Sequence, residues 1–287
     1  MNQPNIASGG GDRHIGAILI DSGKLTTANA ERILRLQKDE GLRFGDAAIK
    51  LGLLKDSDVA FALARQYDYP YLPETSADVS AELIAAYRPF SAQVEELRAL
   101  RSQLMLRWFS SSSDRKALAI TSPGSGEGRS WLAANLAVVF SQLGENTLLV
   151  DADMRSPRQQ ALFKLENRAG LSSYLSGRGN PSDIQRIGAF KGLSILPSGP
   201  IPPNPQELLG REQFTEVLAG LRERFDAIII DTPAAGEYAD AQTIAVRAGG
   251  ALLLARKNHT SFAALGALST AHAQLGVQLA GCALTEF

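Results

Sequence analysis

The sequence predicts an α/β protein, a doubly wound parallel sheet built around a phosphate-binding loop (a P-loop), preceded by a small all-α repeat domain. Three observations predict it. Residues 14–66 repeat themselves with helical periodicity. From residue 115 short apolar runs alternate with helical patterns, as parallel strands joined by crossover helices do. Two of those runs end in aspartate, and both follow a glycine-rich loop that opens a helix.

Bulk properties narrow the function. At 287 residues the chain has room for one large and one small domain. Its 29 Lys and Arg balance 30 Asp and Glu, so nothing electrostatic favours nucleic acid as a partner. The single cysteine, Cys282, excludes an internal disulfide framework, suits a reducing cytoplasm and is expected to be a small buried residue near a C-terminal strand. No apolar run approaches the roughly 18–20 residues of a membrane span. Residues 1–13 are polar and glycine-rich, without a signal-peptide core, and are expected to be disordered. The expectation is a cytoplasmic protein that meets a membrane only through a partner.

The repeat aligns "HIGAILIDSGKLTTANAERILRLQ" (14–37) with "RFGDAAIKLGLLKDSDVAFALARQ" (43–66). Gly16 matches Gly45, Gly23 matches Gly52, Leu34 matches Leu63 and Gln37 matches Gln66. Each copy reads as a short helix stopped by glycine, a turn with an N-cap candidate (Thr26, Asp56), and an amphipathic helix. A helical repeat domain is expected over 14–72. The Pro-, Ser- and Asp-bearing stretch 73–90 reads as a linker with partial helix at Ala81–Tyr87. The α/β domain then covers 91–287. It starts with a helix, "SAQVEELRALRSQLMLRWF" (91–109), whose Val94, Leu97, Leu100 and Leu104 share a face while Glu95, Arg98 and Arg101 form a second stripe. By itself that stripe is a solvated face with an ion pair.

"KALAIT" (116–121) is an apolar strand, "SPGSGEG" a glycine loop, and "RSWLAANLAVVFSQLG" a helix ending at Gly144. Strand, glycine loop and helix in that order suit phosphate capture, with backbone N–H groups and the helix dipole facing the anion. The residues that would cradle it are Gly124, Ser125, Gly126, Glu127, Gly128, Arg129, Ser130 and Trp131. Arg129 stands where such loops usually carry lysine, and a planar guanidinium still neutralises phosphate. "NTLLVDADMRSP" (146–157) ends a strand in Asp151 and Asp153, followed by Arg155; "FDAIIIDTPAA" (225–235) ends one in Asp231. Ser130, Asp231 and Asp151 are the oxygen ligands expected for Mg²⁺.

Residues 88–287 resemble the cytoplasmic catalytic domain of bacterial tyrosine kinases, P-loop kinases that regulate polysaccharide polymerisation and export. The resemblance rests on the glycine loop, "LLVDADMRSP", "GLSSYLSG", "LPSGPIPPNPQELL" and "IIIDTPA". With the repeat domain and "GEGRS" it is similar to EpsG-type chain-length-determinant kinases. The resemblance implies ATP and Mg²⁺ as cofactors. It implies Asp153 as the base or orienting group for an acceptor tyrosine, with Asp151 beside it. Arg129 would supply charge to the phosphates, and Arg155 would neutralise the moving phosphoryl group. It further implies ring assembly through Glu95, Arg98 and Arg101, and an integral inner-membrane chain-length regulator as partner. The C-terminal tyrosine cluster usual in that family has no counterpart after Tyr238, and Tyr67, Tyr69 and Tyr71 read as packing residues at the repeat domain's edge. The repeats resemble the N-terminal (MshEN) domain of type II secretion and type IV pilus ATPases, one branch of which binds cyclic di-GMP. That resemblance implies a ligand set of His14, Gly16, Gly23, Gln37, Arg43, Gly45, Gly52 and Gln66, with His14 in place of the first arginine. Two other readings stay open: a non-catalytic nucleotide switch, and an ATPase like ParA or MinD, although the "KGG"-type lysine of that group is missing.

Overall fold

The computed structural model describes residues 14–67, 69–73, 75–109 and 115–286. The expectation for residues 1–13 lies outside them. The chain divides between Pro70 and Tyr71 into two compact units.

The first unit holds α1 (Ile15–Asp21), α2 (Thr27–Glu40), α3 (Phe44–Lys50) and α4 (Asp56–Gln66). α1 packs on α4 and α2 on α3, so each helix pairs with one from the other repeat. Leu19, Ile33, Ala47, Ala48 and Ala62 are fully buried between them. Gly23 (φ 71°) and Gly52 (φ 65°) take the left-handed conformation at equivalent positions just past α1 and α3. Thr26 caps α2, accepting from Asn29 N–H at 3.3 Å. Asp56 is not the cap expected for α4: Lys55 holds that position, and Asp58 Oδ2 accepts its N–H at 3.1 Å. Tyr67 is 77 % exposed, so its expected packing role does not hold.

The second unit begins with α5 (Ile84–Tyr87) and α6 (Ala92–Leu104), which runs into a π-helical turn, Met105–Phe109. There follow β1 (Ala117–Thr121), α7 (Arg129–Gln142), β2 (Thr147–Asp151), α8 (Gln159–Leu162), α9 (Leu171–Leu175), β3 (Gln185–Arg186) and β4 (Leu193–Leu196). The last elements are α10 (Pro205–Gly210), α11 (Glu212–Arg224), β5 (Ala227–Asp231), α12 (Asp240–Ala248), β6 (Gly250–Arg256), α13 (Phe262–Gln274) and β7 (Gln278–Thr285). The sheet order is β3-β4-β2-β5-β1-β6-β7, parallel except where β3 meets β4. Alternate strand residues enter opposite cores. Leu118, Ile120, Leu149 and Ile229 meet α7, while Ala119, Leu148, Val150, Ile228 and Ile230 meet α11 and α12. This is the doubly wound α/β arrangement, and it leaves the C-terminal ends of β1, β2 and β5 adjacent.

α7 is apolar all round because it is covered all round. It lies on β1, β2 and β5, with α5 and α6 against its other side. That cover includes the stretch read as a linker. Val79, Leu83, Ala85 and Ala86 are buried in the same core as α7. Asn135 of α7 accepts from Ala85 N–H at 3.0 Å and donates to Glu82 O at 3.2 Å, and Gln142 donates to Ala85 O at 3.0 Å. The sequence between 73 and 90 is therefore structural, because two buried amides satisfy a backbone too short and irregular to satisfy itself. Cys282 also departs from expectation, lying exposed on β7.

Replacing Asn135 with Ala leaves the buried Ala85 N–H without its acceptor, while Glu82 O keeps the Ile84 N–H at 3.0 Å. Asn135→Ala should lose about 1–3 kcal/mol in urea unfolding, and open the 73–90 stretch to protease ahead of the sheet.

Candidate nucleotide site

After β1 the chain turns through residues 122–128 into α7. Gly126 (φ 71°) and Gly128 (φ 96°) adopt left-handed backbone that side chains disfavour. The loop after β5 lies directly on this turn: Ala235 N–H donates to Ser122 O at 3.0 Å and Gly236 N–H to Pro123 O at 2.8 Å. A Cβ at Gly236 would sit 2.7 Å from that oxygen, so only glycine fits. Among the described residues, the N–H groups of Gly126, Gly128, Arg129 and Ser130 donate to no acceptor. Four free donors at the positive end of a 14-residue helix have the chemistry that suits an anion.

The carbonyl side of the loop is held by residues the sequence gave no motif for. Arg256 Nη1 donates to Gly126 O at 3.1 Å and His259 Nε2 to Ser125 O at 3.4 Å. Glu127 is buried and faces the protein. Its carboxylate accepts from Gly124 N–H at 2.7 Å and from the Thr260 hydroxyl, and its carbonyl accepts from Thr285 Oγ1 at 3.0 Å. Arg129 is buried too. Its Nε donates to Thr232 O at 2.9 Å, and its Nη1 to Ser122 Oγ and the Gly124 carbonyl. The guanidinium thus ties the loop to the end of β5, a forked bracing that a lysine ammonium could not make in the same way.

Asp151 and Asp231 are register partners at the ends of β2 and β5, and both are fully buried. Gln159, also fully buried, joins the motifs: its Nε2 donates to Asp231 Oδ2 at 2.8 Å and to Ser130 O at 3.1 Å. Burial is the largest cause pushing Asp231 up to about 6; Asp153 adds to it, while the Gln159 hydrogen bond, the nearby Ser130 hydroxyl and the charge of Arg129 oppose it. Asp151 is raised well above the usual carboxylate range, first by burial and then by the charge of Asp231. Asp151 organises the loop after β2, accepting from the N–H groups of Asp153 (3.2 Å), Arg158 (3.2 Å) and Gln159 (2.9 Å). Asp153 Oδ1 accepts from Arg155 N–H at 3.1 Å and Ser156 N–H at 2.9 Å.

A divalent cation suits this arrangement. Asp231 Oδ1 and Gln159 Oε1 are buried without a hydrogen-bond partner, and the paired carboxylates lack a neutralising charge of their own strength. Among the described residues no group of three or more His, Cys, Asp or Glu could hold a metal alone.

The remaining expected residues are placed differently. Arg155 is engaged at two points: it makes an ion pair with buried Asp240, Nε to Oδ2 at 2.7 Å and Nη2 to Oδ1 at 3.1 Å. Asp240 lies 85 residues away in sequence, so nothing near Arg155 announced it. Arg101 donates to Val139 O at 2.8 Å, and Arg98 pairs with Glu95 within α6. Gly45 and Gly16 serve helix packing, since an added Cβ would meet Val59 at 2.7 Å and Phe44 at 3.3 Å respectively. His14 and Arg43 are exposed N-cap residues of α1 and α3, and Gln37 and Gln66 are half-buried. Trp131 lines a cavity of about 740 Å³ beside Gly126 and Gly128, shared with Leu97, Leu100 and Leu284.

Comparison with known proteins matches this geometry. Residues 118–247 match the CobQ/CobB/MinD/ParA nucleotide binding domain. The chain is 39 % identical over 178 residues to the tyrosine-protein kinase YwqD of Bacillus subtilis (strain 168), covering 62 % of this chain and 74 % of that one. This chain belongs to the bacterial tyrosine-protein kinases. The tyrosine-protein kinase Wzc of Salmonella typhi is 31 % identical over 206 residues, which are 72 % of this chain and only 28 % of Wzc. The kinase domain of the Escherichia coli tyrosine kinase Etk superposes with a TM-score of 0.69 at 28 % identity, over 77 % of this chain and 85 % of that domain.

In this tyrosine kinase the raised carboxylates set a pH dependence. A folded pKa above the unfolded value means that the native state holds more protons between about pH 4 and 6. Without divalent cation, stability should therefore fall as pH rises through that window, by on the order of 3 kcal/mol from Asp231. Asp231→Asn should flatten the profile and raise the melting temperature of the nucleotide-free protein. Unchanged melting curves from pH 4 to 7 in both proteins would contradict the buried-pair electrostatics.

Proposed function

We propose that this kinase uses ATP and Mg²⁺ to phosphorylate tyrosine, and that the reaction governs polysaccharide chain length or export. The single observation that carries the reading is the set of free N–H donors at Gly126, Gly128, Arg129 and Ser130, together with Asp231, whose Oδ1 is buried and unpartnered. The donors would hold the β- and γ-phosphates. Ser130 and Asp231 would hold the cation, which when bound draws negative charge away from the transferring group. Asp151 would keep the loop after β2 in place, and Asp153 would orient the acceptor hydroxyl and take its proton through Oδ2. The cavity lined by Trp131 would take the nucleoside. Arg129 stands in for lysine as a brace of the loop, and catalysis then rests on positioning and charge.

Other parts of the reading rest on the family. No helix among the described residues is long and apolar enough to cross a membrane, so an integral inner-membrane chain-length regulator would bring the kinase to its pathway. Assembly of copies would use the exposed edge of α6 around Glu95, since Arg101 is engaged with α7. In the first unit, the equivalence of His14 with Arg43, Gly23 with Gly52 and Gln37 with Gln66 supports a two-copy cyclic di-GMP site. Calorimetry with cyclic di-GMP should then show binding that Arg43→Ala weakens about tenfold or more, the loss expected for one charge-assisted contact; no heat with the wild type removes that site.

The kinase reading is tested with labelled ATP, Mg²⁺ and a Glu-Tyr copolymer. Wild type should label the copolymer, Asp231→Ala should lose about 10²-fold or more, and Arg129→Lys should stay within about tenfold. ATP hydrolysis with no label on tyrosine would instead favour the ParA- or MinD-like reading.

A further inference from the structure

The loop between β5 and α12 carries a tyrosine that the mechanism above does not use. Tyr238 sits with its ring 3.7 Å from the guanidinium carbon of Arg155, on the other side of the ion pair with Asp240. Its loop is pinned to the phosphate-binding turn by the Ala235 and Gly236 hydrogen bonds, and Arg155 follows Asp153 by two residues. Stacking on a guanidinium that is itself fixed at two points holds the phenol at the rim of the site. The ring is 39 % exposed, and its hydroxyl has no hydrogen-bond partner among the described residues.

The other tyrosines of the second unit are otherwise engaged. Tyr87 donates its hydroxyl to Val79 O at 2.7 Å, and Tyr174 donates to Asn180 O at 2.7 Å. Tyr71 packs edge-on against Phe90 at 6.2 Å. Only Tyr238 lies on a loop that touches the nucleotide turn.

We propose that Tyr238 is a phosphorylation site of this kinase, modified by the chain's own activity. The inference rests on the kinase reading of the same site and names one acceptor for it. In the step, the Tyr238 oxygen forms a bond to the γ-phosphorus of ATP. The bond from that phosphorus to the β,γ-bridging oxygen breaks, ADP leaves with the electron pair, and the phenol proton passes to Asp153. The product places close to two negative charges beside Arg155, in competition with Asp240 for the guanidinium. Phosphorylation would therefore loosen the contact between the loop after β2 and the start of α12.

The test incubates the full chain with ATP and Mg²⁺, with and without the Glu-Tyr copolymer, and maps phosphopeptides by mass spectrometry. Phosphate on Tyr238 is expected. Tyr238→Phe keeps the ring on Arg155, so it should fold, still label the copolymer, and lose self-labelling at least about tenfold. Copolymer labelled while the chain carries phosphate only elsewhere, or self-labelling unchanged in Tyr238→Phe, would overturn the inference and leave the kinase reading standing. No label on either acceptor would overturn both. If the variant misfolds, the map of the wild-type chain decides alone.

Discussion

The site depends on two carboxylates that the sheet forces together. β2 and β5 are parallel and in register, with Asp151 opposite Asp231 at their C-terminal ends. Neither side chain reaches water. Buried like charges repel, and the protein relieves this unequally. Asp151 is given three backbone N–H donors, whereas Asp231 receives Gln159 on one oxygen and leaves the other bare. The asymmetry divides labour between two identical residues. One shapes a loop, and the other keeps one buried oxygen unpartnered.

The same logic explains why a P-loop can carry arginine. A loop with free N–H donors on one side must have its carbonyls held on the other, or the donors would not converge. Here Arg129, Arg256 and His259 hold carbonyls of the turn or of the β5 end, and Glu127 closes the Gly124 N–H. Arginine has enough donors to reach Thr232, Ser122 and Gly124 at once, which makes it a structural member of the loop. Its role therefore differs from the point charge that its sequence position suggests.

What the sequence made legible was whatever is local. Strand, glycine loop and helix can be read from residues 116–144 because their periodicities and turn residues are contiguous. Aspartates at strand ends are legible for the same reason. Contacts that close the site are not local: Asp240 takes Arg155 from 85 residues away, Thr260 and Thr285 reach Glu127 from 133 and 158 away, and Gln159 looks like any polar residue of a turn. The stretch 73–90 misled for a related reason. Its composition is that of a linker, and the groups that make it structural, Asn135 and Gln142, belong to a helix about fifty residues on.

That last contact links the anion site to the outer face of the unit. α7 carries the free donors at its N-terminus, and the same helix is gripped along its length by the sheet on one side and by α5 and α6 on the other. Polar side chains fix the grip at defined points: Asn135 and Gln142 hold the 82–85 segment, and Arg101 of α6 holds the Val139 carbonyl. A close-packed helix held this way has little freedom to shift except together with its neighbours. A displacement of α6 would therefore reach the free N–H donors through rigid packing, without touching the loop. Arg101, one residue of the stripe on α6, thus contacts the same helix whose N-terminus carries the free donors.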